Sequence, residues 1–312
     1  MSLLLFLATL PSLYWAQPVG TAPALKQAGI ERLRVPTEAA AAWTAAGFTV
    51  VPLGEKDRSE RTKLQAPGLR SRAEVASASV RPWVNANGWR FLRKSGDRYW
   101  GEVPAGRAAL AAAEAFAYGA DAVLAIDPTD LDSAGRMLAF LSSIPDSSLL
   151  AAADIAVVDD GSPTVGEILN LMARRNLLFE AVPKEDPHVA LNVRIGSKAF
   201  PRKEAQNPET FALSVRRTLT DDKRSLRLYG SEVVLARLVR DAGRARLHLL
   251  NYGGRPIDGL RVRLLGSWVP GEARAFGEAR LAVEDLAAAD GATEFTLGTI
   301  GPYAIVDLTT AR

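Results

Sequence analysis

The hydrophobic pattern changes character along the chain. Residues 3–10, LLLFLATL, form one short apolar run, and no charged side chain appears between Met1 and Lys26. A membrane span needs ~20 apolar residues, so this run is too short to cross a bilayer and has the length of a signal-peptide core. From Ile30 the texture alternates. IERLRV, FTVVPL and DAVLAID read as strands, while TEAAAAWTAAG, PAGRAALAAAEAFAY and residues 130–143 read as helices. Such strand–helix–strand repetition implies parallel pairing with right-handed crossovers. Residues 54–72 read as a polar loop and 74–80 as a weaker strand. Residues 89–103 read as a hairpin turning at Lys94-Ser95-Gly96-Asp97, since both arms alternate apolar and polar positions.

A second α/β texture starts at Asp154. DIAVV, LLFEAV and VALNVRI are strand candidates, SLRLYG a closing strand, and PTVGEILNLMARRN and residues 208–219 helices. Ser162 and Pro163 supply an N-cap and a first helical residue. The pattern is that of a Rossmann- or flavodoxin-like layer without its phosphate-binding loop: Asp159-Asp160-Gly161-Ser162 holds one glycine where the dinucleotide fingerprint needs three. From Ser231 short runs split by Gly, Asp and Pro follow one another, EVVLARLV through YAIVDLT, as in a β-sandwich. The expected fold class is therefore α/β followed by all-β: a signal peptide over 1–17, a reduced β/α-barrel-like region over 18–150, a Rossmann/flavodoxin-like layer over 151–229 and a C-terminal β-sandwich over 230–312.

Composition narrows the chemistry. Hydrophobic residues make up 48% and charged residues 23%, which excludes wholesale disorder and a coiled coil. Lys and Arg exceed Asp and Glu by 38 to 35, too small a surplus to draw the chain to nucleic acid. Cysteine is absent, which removes disulfides, thiolate metal sites and thiol nucleophiles. With only His188 and His248, a histidine-rich metal centre is excluded as well, and no metal or cofactor is expected. His248 shares its strand face with Arg244 and Arg246 and reads as a solvated residue. Without a Gly-x-Ser-x-Gly elbow, neither histidine suggests a serine triad. The leader implies a secreted or periplasmic protein with no membrane span once the leader is removed.

Two groups of residues could carry function. Trp83, Asn85, Asn87 and Trp89 combine indole faces with amides, the pairing that stacks on a sugar ring and exchanges hydrogen bonds with its hydroxyls. The plainer reading is that the indoles pack the core. Asp127 follows DAVLAI and precedes Pro128, at the carboxyl end of a parallel strand where α/β proteins place their sites; its plainer reading is a helix cap. Glu102 and Glu55 are candidate partners for it. A glycosidase needs two carboxyls ~5–5.5 Å or ~6.5–9.5 Å apart across the scissile bond.

At RPWVNANGW with YGADAVLAID, at DIAVVDDGSPTVGEILNLMARRNLLFEAV, and at RLHLLNYGG with TIGPYAIVDL, the chain resembles bacterial hypothetical glycoside-hydrolase-like proteins. These join a β/α barrel to a glutamine-amidotransferase-like layer, of the β-galactosidase trimerisation kind, and a β-sandwich. The resemblance implies a carbohydrate partner. A whole barrel takes ~250 residues, so the one here would be reduced, and a layer without cysteine has no glutaminase chemistry. Three readings follow: an exported glycoside hydrolase acting on a polysaccharide through Asp127 with Glu102 or Glu55; a non-catalytic carbohydrate-binding protein; and a homo-oligomer assembled through the amidotransferase-like layer.

Overall fold

The computed structural model describes residues 10–70, 83–145 and 148–311. The expected strand at 74–80 lies outside them, as do residues 1–9. The described chain divides into an N-terminal unit, from residues up to 68 with 94–147, and a C-terminal unit, from residues 69–93 with those from 148 onward.

In chain order the first elements are β1 (Ser12–Tyr14), α1 (Ala22–Gln27), β2 (Arg32–Val35), α2 (Ala40–Ala45), β3 (Thr49–Pro52), α3 (Glu55–Ser59) and β4 (Thr62–Lys63). Next come β5 (Gly68–Arg70) and β6 (Trp83–Asn85), which pair with each other, and α4 (Gly88–Arg93). β7 (Arg98–Val103), α5 (Ala108–Ala117), β8 (Asp121–Ile126) and α6 (Leu131–Ser142) complete the series. The N-terminal unit is built on one six-stranded sheet, ordered β3-β2-β1-β8-β7-β4 and parallel throughout. Every step between chain neighbours moves the same way across this order, except the jump from β3 to β4. Right-handed crossovers that all move one way put their helices on one face. That face carries Leu13, Leu33, Val35, Tyr99, Val103, Leu124 and Ile126, all buried, with α2 packed on β3 and α5 on β8.

Ser12–Tyr14, inside the stretch expected as a leader, pair with both β2 and β8 in the middle of the sheet, and Leu13 and Trp15 are each only 2% exposed. Cleavage there would remove an internal strand. Residues 89–103 are not a hairpin. β7 spends both edges on β4 and β8, which leaves none for residues 89–93. These form α4 instead, opened by the Asn87 carbonyl, which accepts from the Arg90 and Phe91 amides at 2.7 and 3.2 Å. The loop foreseen around Glu55 contains the one-turn helix α3.

The C-terminal unit adds β9 (Leu150–Ala151), β10 (Ile155–Val158), α7 (Pro163–Ala173), β11 (Phe179–Val182), β12 (Leu191–Val193) and α8 (Pro208–Leu219). Its remaining strands are β13 (Leu226–Tyr229), β14 (Val234–Arg240), β15 (Arg244–Asn251), β16 (Leu260–Leu265), β17 (Trp268–Ala275), β18 (Val283–Ala289), β19 (Ala292–Leu297) and β20 (Tyr303–Thr310). β10 lies between β11 and β12 in a three-stranded parallel sheet, covered by α7 and α8 around Phe200, Phe211 and Met172. Ser162 caps α7 as its sequence suggests, accepting from Val165 N at 3.2 Å. The later strands form antiparallel sheets ordered β13-β16-β19-β18 and β17-β20-β15-β14-β9. Both contribute to one apolar cluster that includes Leu226, Val262, Phe295, Leu247 and Val306. SLRLYG is not a closing strand of the parallel layer. Its leucines alternate into that apolar cluster, so β13 pairs with β16. The parallel layer is tied to these sheets by buried polar contacts. Asp154 accepts from Ser225 N and Oγ at 2.9 and 2.5 Å, and the Asn176 amide bridges Val234 O and Ala236 N.

His248 is also corrected. It is 6% exposed, not solvated, and its Nδ1 lies 2.7 Å from the Tyr303 hydroxyl. The face it shares with Arg237 and Arg246 is buried.

Candidate functional site

The second face of the six-stranded sheet carries the groups able to do chemistry. Parallel register aligns side chains level by level. At the amino ends of β7 and β8, Arg98 sits beside Asp121. Here Arg61, with a side chain 2% exposed, pairs with Asp121 at 3.4 Å and Asp57 at 3.6 Å, while Arg98 pairs with Asp57 and Glu60. The next level is apolar. Trp100 and Val123 pack with Leu53, Tyr14 and Ala125, and the Tyr14 and Trp100 rings meet edge to face at 5.0 Å. Arg58 of α3 lies over Trp100, 5.6 Å from the ring centre.

Above this floor, at the carboxyl ends, one register level runs Glu102, Ala125, Tyr14, Arg34, Val51 across five adjacent strands. Asp127 is two residues beyond Ala125 in extended backbone, so it rises from the same face one level higher. Strands ~4.8 Å apart and a two-residue rise of ~6.6 Å put the Glu102 and Asp127 Cα atoms about 8 Å from each other. Glu55, which opens α3 after β3, is three strands from β8 in the sheet order. The fold thus brings Glu102 and Asp127 onto neighbouring strands and leaves Glu55 apart.

The two neighbouring carboxyls have different surroundings. Asp127 Oδ1 accepts from the Thr129 hydroxyl at 2.6 Å and the Thr129 amide at 2.9 Å, which holds its carboxyl below the usual aspartate range. This is the helix-capping geometry, here on the short turn Pro128–Asp130, and among the described residues none donates to Oδ2. Glu102 is exposed and accepts from the Trp100 indole at 3.3 Å. Next to them, buried Asp130 takes the Gly106, Arg107 and Ala108 amides at 2.8–3.1 Å and so anchors the start of α5.

In the C-terminal unit the tryptophans are engaged in packing. Trp83 and Trp89 lie against the α7–α8 core. The Arg174 guanidinium stacks 3.6 Å from the Trp83 ring centre, and a Cβ on Gly166 would come within 3.3 Å of Trp89. Asn87 is buried and accepts from Arg90 at 3.3 Å, and Asn85 is half-buried on β6. At the carboxyl end of β10, the side on which such layers receive ligands, the protein forms an ion pair of its own. Arg93 grips both Asp159 oxygens at 2.8 Å and the Ser162 carbonyl at 2.9 Å. Burial pushes the Asp159 carboxyl up, but the hydrogen bonds and charge of Arg93 outweigh it and hold it low.

The sequence reading missed Tyr14, Arg34 and Thr129. Tyr14 lies in the stretch read as a leader. Arg34 was visible only as the polar half of the alternation RLRV, whose significance depends on the register with β1. Among the described residues no cluster of His, Cys, Asp and Glu could hold a metal ion, and no helix is long and apolar enough to cross a membrane.

No protein-family model matches the chain, and no curated protein matches it in sequence. Solved structures do match in shape. An α-L-fucosidase, isoenzyme 2 from Paenibacillus thiaminolyticus, superposes with a TM-score of 0.52 at 10% identity over 93% of this chain and 71% of the fucosidase. A maltogenic α-amylase from Thermotoga neapolitana reaches 0.29 at 10% identity over 98% and 100%, and a glycoside hydrolase family 30 xylanase from Clostridium acetobutylicum 0.21 at 9% over 97% and 95%. Of these three, the fucosidase comparison alone is close enough to argue from, and it argues fold. The chain has a glycoside-hydrolase-like fold.

Proposed function

We propose that the protein is a glycoside hydrolase whose carboxyl pair is Asp127 and Glu102. The supporting observation is their placement on neighbouring strands β8 and β7, on one sheet face, at the carboxyl ends, above an apolar floor. The strand order supports a reduced barrel, because a single direction of winding interrupted once is a barrel opened between β3 and β4. In the same reading the two antiparallel sheets form a β-sandwich. Carbohydrate is the partner class, in keeping with the fucosidase-like fold.

The two carboxyls divide the labour. Thr129 keeps Asp127 ionised, which suits the base or nucleophile. Glu102, open to solvent beside the Trp100 indole, is the proton donor to the leaving oxygen. A sugar ring stacks on the half-buried Tyr14, with the buried Trp100 supporting it from below. The Trp83/Trp89 platform and Glu55 have no part in this reading. The clamp of Thr129 on Asp127 equally favours a second reading, a non-catalytic carbohydrate-binding protein, because a carboxylate committed to a cap has one free oxygen.

The test is reducing-end release by the purified full chain across neutral and acidic polysaccharides. Wild type should release sugar. Asp127→Asn and Glu102→Gln should each lower the rate by at least about a hundredfold. A folded sample that releases nothing from any of them would overturn hydrolysis in favour of binding.

A further inference from the structure

We propose that the saccharide bound on this face is anionic and that Arg34 selects its carboxylate; the proposal takes the location of the sugar from the carboxyl-pair reading above. Arg34 stands in the same register level as Tyr14 and Ala125 and belongs to β2, two strands from β8. It is half-buried, and its Nε is shielded from solvent with no hydrogen-bond partner. No carboxylate among the described residues forms an ion pair with it. Three other cations near this face have partners: Arg61 in Asp57 and Asp121, Arg98 in Asp57 and Glu60, Arg58 in the Trp100 ring; Arg32 and Lys63, on the same face, are exposed to solvent.

The part of the Arg34 guanidinium at Nε is withdrawn from water without a partner, and that part carries an uncompensated desolvation cost. A bound carboxylate would relieve it, because the planar fork of arginine matches two carboxylate oxygens. The position is also suitable. Two strand spacings, about 10 Å, separate the Cα atoms of Arg34 and Ala125, leaving room for one sugar ring between the guanidinium and Asp127. An acidic sugar would be repelled by Glu102 and Asp127 if its carboxylate faced them. Arg34 draws that group to the opposite side of the ring, across the apolar floor, and so sets the orientation as well as the class of ligand. The ligand class is a uronate-containing oligosaccharide.

Calorimetric titration of the full chain carrying Asp127→Asn, which prevents turnover, tests this with trigalacturonate, triglucuronate and the methyl ester of each. At least one acid should bind about tenfold or more tightly than its ester. Arg34→Gln should abolish that preference without changing ester binding, and Arg34→Lys should restore part of it. Equal binding of acid and ester, equal weakening of both by Arg34→Gln, or binding of neither acid overturns the proposal. If Arg34→Gln does not fold, the acid-to-ester ratio of the parent and Arg34→Lys chains decides. The two readings fail separately. Hydrolysis of a neutral glycan that needs Asp127 but not Arg34 keeps the carboxyl pair and removes the acidic substrate. Arg34-dependent acid binding without reducing-end release by wild type does the reverse.

Discussion

Single residues in this protein are tuned by what surrounds them, and His248 gives the sharpest measurable case. Burial first, then the charges of Arg237 and Arg246, hold its imidazole well below the ordinary histidine range. The folded protein therefore keeps it neutral at pH values where the unfolded chain, titrating near 6.5, takes up a proton. Its contribution to stability is complete above about pH 6.5 and is lost as pH falls below it, by at most about 1.4 kcal/mol for each pH unit until the folded-state value is reached. Urea denaturation of wild type and His248→Gln at pH 7.5 and 5.0 should show a stability advantage of wild type that shrinks at the lower pH; an advantage that stays constant or grows would contradict the assignment. Alternation along RARLHLL placed His248 on the polar side of β15 correctly. It could not tell that this side is buried, because burial of a sheet face is decided by what packs on it.

At the scale of elements, close packing sets the limits. Gly135 lies in α6 where a Cβ would come 1.8 Å from the Ala28 carbonyl oxygen, just after α1. Backbone cannot retreat as a flexible side chain can. Gly135→Ala should destabilise the fold by about 3 kcal/mol, read as a lower chemical-denaturation midpoint; an unchanged midpoint would mean that the two helices can separate. The helices and strands written in local pattern were legible: IERLRV, FTVVPL, the alanine-rich α5 and the Ser162-capped α7 each carry their own periodicity or cap. Elements defined by partners were not. The alternation of residues 89–93 is the same in a hairpin arm and in a helix, and only the occupied edges of β7 decide between them. The site divides along the same line. Asp127 and Glu102 were readable as carboxyls near strand ends, whereas the register level joining Glu102, Tyr14 and Arg34 exists only once β1, β2, β7 and β8 are aligned.

For the whole molecule, the position of β1 is decisive. The stretch 1–17 reads as a leader in sequence, yet it contains β1, Ser12–Tyr14, with Leu13 buried between β2 and β8, so leader and internal strand are alternative fates of the same residues. The two are separated by truncation. A chain beginning at Gln17 lacks the strand joining β2 to β8 and should lose cooperative thermal unfolding, while a chain beginning at Leu10 should keep it. A cooperative transition at an unchanged temperature in the shorter chain would show that β1 is dispensable, as removal of a leader through residue 17 requires.

The same strand gives the protein a timetable. β1 leaves the ribosome before the rest of its sheet, yet Ser12 pairs with Val123, so its second neighbour is among the last parts of the N-terminal unit to be made. Trp83 and Trp89, meanwhile, emerge before β7 and β8 but pack on a core that starts at Ile155. Translation thus delivers an early piece of each unit well ahead of its partners. Pairings so distant in sequence are slow to form, and waiting strand edges and indoles invite association with other chains. Synthesis speed and chaperone supply, rather than final stability, should therefore govern how much of this protein reaches its native state in a cell.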